Sequence, residues 1–166
     1  KDGGKFQIIG DPTEGSLSVL AQKAEYTEKY FKDNFEFIEE LPFDPDRKLM
    51  SVIYKNKKKK IDEAYVKGAP DLLLKRCDKI LMDGKVRKLT KKDKDKILKK
   101  NKEFAQDALR VLALAYKDAS RLKRYDLSAV EKDLIFVGLV GMIDPPRDQV
   151  KKAVLDCKGA DRKSTR

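Results

Sequence analysis

The chain has 166 residues, 39 lysines and arginines against 28 aspartates and glutamates, a formal net charge of +11, two cysteines and no histidine. That length holds one well-buried core, one domain plus a piece of a second, and the missing imidazole excludes His-based triads, His metal sites and His acid–base chemistry. Cys77 and Cys157 lie far apart with no CxxC and read as free thiols of a reducing compartment. The most apolar run, Leu134–Ile143, is far short of the roughly 18 residues of a membrane helix, and Lys1–Lys5 lacks a signal peptide's apolar core. A soluble, cytosolic piece is expected. The positive charge invites a nucleic-acid reading, but the lysines of 91–102 alternate with Asp93 and Asp95, as on a solvated helix face.

In chain order, Phe6–Ile9 reads as a short strand and Gly10-Asp11-Pro12-Thr13-Glu14-Gly15 as a helix start. Asp11 suits the N-cap, Pro12 the first helical position, and Glu14 the place of a capping-box acid. Leu17, Leu20, Ala21, Ala24, Glu28 and Phe31 then predict one amphipathic helix to about Lys32. The G-x-x-x-x-G spacing of this segment is not a phosphate loop, because Ser16 stands where its lysine belongs. Glu14 is left open between helix cap and ligand contact.

Phe35–Leu41 is an imperfect strand, and Pro42 and Pro45 are expected to break the backbone, leaving Phe43 in a stiff segment outside any strand. Lys48–Lys55 and Ala64–Lys67 form two strands of a hairpin whose lysine-rich connection, Lys55–Lys60, stays in water. Val66–Asp71 is a strand–turn–helix junction, with Pro70 opening a helix that turns Leu72, Leu73, Leu74 and Cys77 inward. Its free N–H groups beside Lys67 suit an anion or a ribose–phosphate, although on these residues alone an ordinary strand–turn–helix junction is the stronger reading. Asp83-Gly84 predicts a tight hairpin between Lys79–Met82 and Lys85–Leu89. Thr90 to Asp93 is a capping-box pattern before a long helix with Ile97, Asn101, Phe104, Ala105 and Ala108 inward. Arg110–Tyr116 reads as a buried strand, Asp118–Asp133 as a polar loop or short helix, and Leu134–Ile143 as the most apolar strand. Asp144-Pro145-Pro146-Arg147 ends the sheet, Gln149–Lys158 forms a helix capped by Gly159, and residues 159–166 form a frayed tail. An apolar stripe on that helix with nothing after it to cover it implies a truncated neighbour. An aromatic, paired cations and a turn opening into a helix, all within Leu41–Leu74, are the parts a nucleotide pocket needs.

GDPTEGSL (10–17), FDPDRKLMSV (43–52), YVKGAPDLLL (65–74), RVLALAY (110–116) and VGLVGMIDPPR (137–147) follow one another in this order. Together they resemble the nucleotide-binding domain of P-type cation-transporting ATPases, nearest the calcium-pump-like branch. The resemblance implies an α/β fold, a mainly antiparallel β-sheet flanked by helices, truncated at the amino end. It implies residues 1–143 as the nucleotide-binding domain and 144–158 as the hinge and first helix of the phosphorylation domain.

The same resemblance implies an ATP site. Glu14 would accept from the adenine amino group, Phe43 would stack on the ring, and Gly68 would let the purine approach the backbone. Lys67 would stand at the base and Lys48 nearer the phosphates, with Arg47 and Ala69 alongside, and Arg110 would pair with the phosphates. Asp144, Pro145, Pro146 and Arg147 would be the hinge. Asp44 and Pro45 replace the serine and first arginine of the animal calcium-pump motif, which removes one expected phosphate contact and resembles proton pumps. Asp71 replaces a usual glutamate. The family's phosphorylated Asp-Lys-Thr-Gly-Thr string does not occur in the sequence, so no catalytic or metal-binding residue is expected here and magnesium would be held mainly by other parts of a longer protein. The phosphorylation, actuator and membrane domains of that protein are the implied partners, and the location a cytoplasmic domain of an integral membrane protein. The competing expectations are a basic module for nucleic acid or acidic membrane surface, or the same domain from a proton or other cation pump.

Overall fold

The computed structural model describes residues 11–143 and 148–159. The expected strand at Phe6–Ile9, the hinge at Asp144–Arg147 and the tail beyond Gly159 lie outside the described residues. Asp11 caps helix α1 (Pro12–Lys23) as expected, accepting the Thr13 and Glu14 amides at 2.6 and 3.4 Å. The helix does not reach Lys32. Glu25 adopts a left-handed φ of 63° just past its end, and Thr27 starts a separate helix α2 (Glu28–Asn34) by accepting the Tyr30 amide at 3.2 Å.

Seven strands form one sheet in the order β1-β2-β3-β6-β7-β4-β5. They are β1 (Phe35–Asp44), β2 (Leu49–Asn56), β3 (Ile61–Gly68), β4 (Cys77–Met82), β5 (Lys85–Lys88), β6 (Arg110–Asp118) and β7 (Leu134–Met142). Every neighbouring pair is antiparallel except β4 with β7. The mainly antiparallel α/β reading holds.

One expectation about β1 fails. The strand runs through Pro42 and Phe43, because β1 is the sheet edge and its register shifts between Leu41 and Asp44. An edge strand at a bulge has no ladder bond for proline to forfeit. Pro45 then opens the four-residue turn into β2.

The helix opened by Pro70 is shorter than expected: α3 (Pro70–Leu73) gives way to one turn of 3-10 helix, Leu74–Arg76, and Cys77 already belongs to β4. The Asp83-Gly84 turn has both residues at positive φ, 50° and 74°, as a type I′ hairpin requires. Helix α4 (Lys91–Gln106) has the reciprocal Thr90–Asp93 capping box. Ala108 lies beyond it at φ 57° and turns the chain into β6 instead of joining the helix's inner face. The polar stretch before β7 contains the short α5 (Leu127–Val130), and α6 (Asp148–Gly159) ends the described chain.

Along β2 the side chains alternate, so Leu49, Ser51 and Ile53 share the buried face. Leu49 joins Val66, Leu73, Leu74, Cys77, Ala113, Leu134 and Phe136 in the main core, with α4 contributing the half-buried Ile97. Burial in this core pushes the Cys77 thiol up to about 12, which leaves it an inert packing group. Ile53 joins Ala64, Ala119 and Val130 in a second cluster. Ser51 stands between the two. The opposite alternation, Met50, Val52 and Tyr54 on β2 with Tyr65 and Lys67 on β3, faces the other way.

Candidate functional site

A cleft of about 550 Å³ opens on this second face of the sheet. The start of α1 supplies Asp11, Thr13 and Glu14; the β1–β2 connection supplies Phe43, Pro45 and Lys48; β3 and its exit supply Lys67, Gly68 and Ala69; β6 supplies Arg110, Val111 and Leu112; Met50 comes from β2. Seven of the eight residues expected at an ATP site are therefore brought together from segments far apart in sequence. The eighth, Arg47, is not among the lining residues.

The β1–β2 connection is fixed by its own backbone. The Asp44 carboxylate accepts the amides of Asp46 and Arg47 at 2.8 and 3.0 Å, which holds its carboxyl below the usual range, and the Lys48 amide donates to the Asp44 carbonyl at 2.7 Å. The turn ends with Lys48 in the left-handed region at φ 51°. Its carbonyl accepts the Ala69 amide at 3.1 Å, tying the turn to the β3 exit. Phe43 projects from this frame with 59% of its surface exposed. An aromatic ring left in water on a braced backbone offers a flat stacking surface.

Gly68 has a clear local reason to be glycine. A Cβ there would stand 2.2 Å from the Lys48 carbonyl oxygen and 2.6 Å from Leu49 Cδ2. The absent side chain lets the β3 exit pack directly against the Lys48 turn.

Charge is arranged around the ring. The Lys67 ammonium forms an ion pair with the Glu14 carboxylate, so Glu14 reaches across to β3 instead of back to its own helix cap. Arg110 Nη1 donates to Thr13 Oγ1 at 3.2 Å. Asp11 is held below the usual carboxylate range by the Thr13 side-chain and backbone hydrogen bonds, with Arg110 adding its charge. Lys48, Lys67 and Arg110 outnumber Asp11 and Glu14 at the cleft, which favours a polyanion. Among the described residues no cluster of three or more carboxylate or thiol groups could hold a metal ion. Asp11 is engaged in capping and Glu14 in an ion pair, so this donor set does not fit a resident magnesium. The arrangement can bind and orient an anionic ligand.

Arg47 turns to the core side. Its guanidinium donates to the Glu131 carboxylate and to the Pro42 carbonyl. Glu131, only 2% exposed, also accepts from Ser51 Oγ at 2.8 Å. The sequence gives no hint of Glu131: it is one acid in a polar stretch, and its partner lies 84 residues away. Met50, Val111 and Leu112 were also missed, since each looks like an ordinary strand residue. The expected anion site at Pro70 reduces to a four-residue helix without a side-chain cap.

The fold is an α/β domain with a mainly antiparallel seven-stranded sheet and a cationic cleft on one face. The chain belongs to the P-type ATPase family: residues 1–149 match the model of the P-type ATPase cytoplasmic domain N. It is 44% identical over 154 residues to calcium-transporting ATPase 1 of Bacillus cereus, covering 91% of this chain and 17% of that protein. It is 41% identical to calcium-transporting ATPase 1 of Lactococcus lactis, covering 95% of this chain and 18% of the relative. An endoplasmic reticulum-type calcium-transporting ATPase of Arabidopsis thaliana is 35% identical over 96% of this chain and 18% of its own length. The chain thus spans under a fifth of these relatives. Among the described residues no helix is long and apolar enough to cross a membrane.

Proposed function

We propose that this chain is the ATP-positioning domain of a P-type cation pump, with the purine against Phe43 and the triphosphate toward Lys48 and Arg110. The observation that carries the reading is the convergence of Glu14, Phe43, Lys48, Lys67, Gly68, Ala69 and Arg110 on one cleft. Glu14 is the acceptor for the adenine amino group, which requires it to share or release Lys67. The guanidinium of Arg110 and the ammonium of Lys48 suit phosphate oxygens. Adenine recognition is the larger share, because Phe43 presents an exposed ring while Lys67 is already paired with Glu14. Magnesium arrives with the triphosphate and is held mainly by other parts of the longer protein.

Phosphoryl transfer needs acceptor, metal and nucleotide in line, so the acceptor aspartate belongs to a separate domain. Residues 1–143 form the nucleotide-binding unit, with 144–158 leading into the phosphorylation domain. The chain alone binds nucleotide without turnover, and the parent is an integral membrane protein with this domain in the cytoplasm. Calcium as the transported ion rests on the names of the relatives.

Calorimetric titration of ATP and adenosine against wild type and Phe43→Ala tests the reading. Stacking of a base is typically about 1–3 kcal/mol, so the variant should bind both ligands roughly 5- to 150-fold more weakly. Equal affinity in the two proteins overturns it.

A further inference from the structure

Phe43 is exposed, yet the backbone on both sides of it is pinned. On the turn side, Asp44 is fixed by the amides of residues 46 and 47, at 2.8 and 3.0 Å. On the strand side, the Pro42 carbonyl accepts from the Arg47 guanidinium, which is itself held by the buried Glu131 carboxylate. Arg47 is 15% exposed, and its buried Nε has no partner, so its hold rests on the two terminal nitrogens, one for each acceptor. Ser51 Oγ, 2.8 Å from the same Glu131 oxygen, fixes that carboxylate from β2.

We propose that Glu131 and Arg47 are positioning residues for the adenine-stacking ring: a buried carboxylate on the α5–β7 connection sets the Phe43 platform through the Arg47 fork. The proposal rests on the ATP reading of the cleft.

The physical case turns on what such a pair is good for. Desolvating a carboxylate and a guanidinium offsets most of their mutual attraction, so as a stability device a buried pair about breaks even. A planar fork gripping two acceptors at once delivers geometry. Here the second acceptor is the carbonyl of the residue next to Phe43. Without the fork, Pro42 sits on an edge strand at a register shift, where the ladder gives the backbone little support. Binding would then have to order the segment, and that cost would appear as lost affinity. Arg47 thus serves the cleft without lining it.

A double-mutant cycle read by adenosine calorimetry tests this. Arg47→Lys keeps a cation for Glu131 but cannot grip both acceptors; Glu131→Gln keeps the shape and removes the charge. Each should weaken adenosine binding roughly threefold or more in the wild-type background and have no effect in the Phe43→Ala background, as coupled neighbours do. Circular dichroism and thermal melts identify the folded variants, and Arg47→Lys alone decides the matter if Glu131→Gln does not fold. Equal losses in both backgrounds, or wild-type affinity in Arg47→Lys, overturn the positioning role and leave the ATP reading standing. If Phe43→Ala itself binds adenosine like wild type, the ATP reading falls and the positioning role with it.

Discussion

On one face of the sheet Leu49, Val66, Ala113, Leu134 and Phe136 are sealed in one cluster with Leu73 of α3 and Leu74 of the turn after it, with Ile97 of α4 packed against them. On the other, α1 buries no residue and is tied down by polar contacts: Glu14 to Lys67, Thr13 to Arg110, and Ser16 to Met142. The first face derives its strength from area removed from water, which is indifferent to any ligand. The second holds its groups in solvent-facing polar contacts, which in the proposed reading a nucleotide would replace. If the proposed function is right, one sheet serves as anchor on one face and as receptor on the other, and substitutions should separate the two roles.

The largest separation should come from Leu73→Ala. Leu73 is fully buried in the main core and distant in role from the cleft. Truncating a buried leucine costs about 2–5 kcal/mol, visible as a lowered denaturation midpoint with an unchanged slope. ATP affinity of the folded protein should remain that of wild type. A loss of affinity at temperatures where the variant is fully folded would show that the faces are not independent.

Gly68→Ala should break the comparison, because Gly68 lies where the two faces meet. The added Cβ would press on both the Lys48 carbonyl and the Leu49 side chain, one from the cleft and one from the core. Overpacking of this kind costs about 1–3 kcal/mol. Relief requires moving the Lys48 turn, so stability and nucleotide affinity should fall together. Chemical denaturation and calorimetry on the same preparation check both. A variant that loses only one would assign the glycine to one face.

How much of this was legible in the sequence follows the range of the interactions. Local chemistry was readable: the Asp83-Gly84 turn, the Thr90–Asp93 box, the Asp11 cap and the apolar β6 and β7 all form as their residues dictate. What depends on sheet position was not. Pro42 reads as a strand breaker until β1 is known to be an edge. Helix α1 reads as continuing to Lys32 because Ala24 and Phe31 keep the helical period, and nothing local announces the left-handed Glu25. Motif resemblance gathered the cleft residues but credited Arg47 with a place there. The reason it turns away, Glu131, is a contact between segments that no local pattern encodes.

The smallest effect is expected at the far end of the open face, and it tests whether that face has structural acids of its own. Glu63 lies buried there among the Asn56 amide at 2.8 Å, the Tyr65 hydroxyl at 2.7 Å and the Lys59 ammonium at 2.8 Å. Burial alone would push its carboxyl up; the hydrogen bonds from Lys59, Asn56 and Tyr65 outweigh it and hold the group below its ordinary value. A carboxyl lowered on folding stabilises the native state above its unfolded pKa, and that contribution disappears as pH falls through the folded one. Wild type should therefore lose stability on acidification from about pH 5 downward. Glu63→Gln, which keeps an acceptor but loses the charge, should be roughly 0.5–1 kcal/mol less stable at pH 7, because Lys59 is itself largely exposed. The variant's stability should also fall less steeply with acid, so the two curves converge as pH falls through the lowered Glu63 pKa. Parallel curves would mean that Glu63 carries none of the acid sensitivity, and that this end of the open face rests on the aromatic packing of Phe35, Tyr54 and Tyr65 more than on its buried acid.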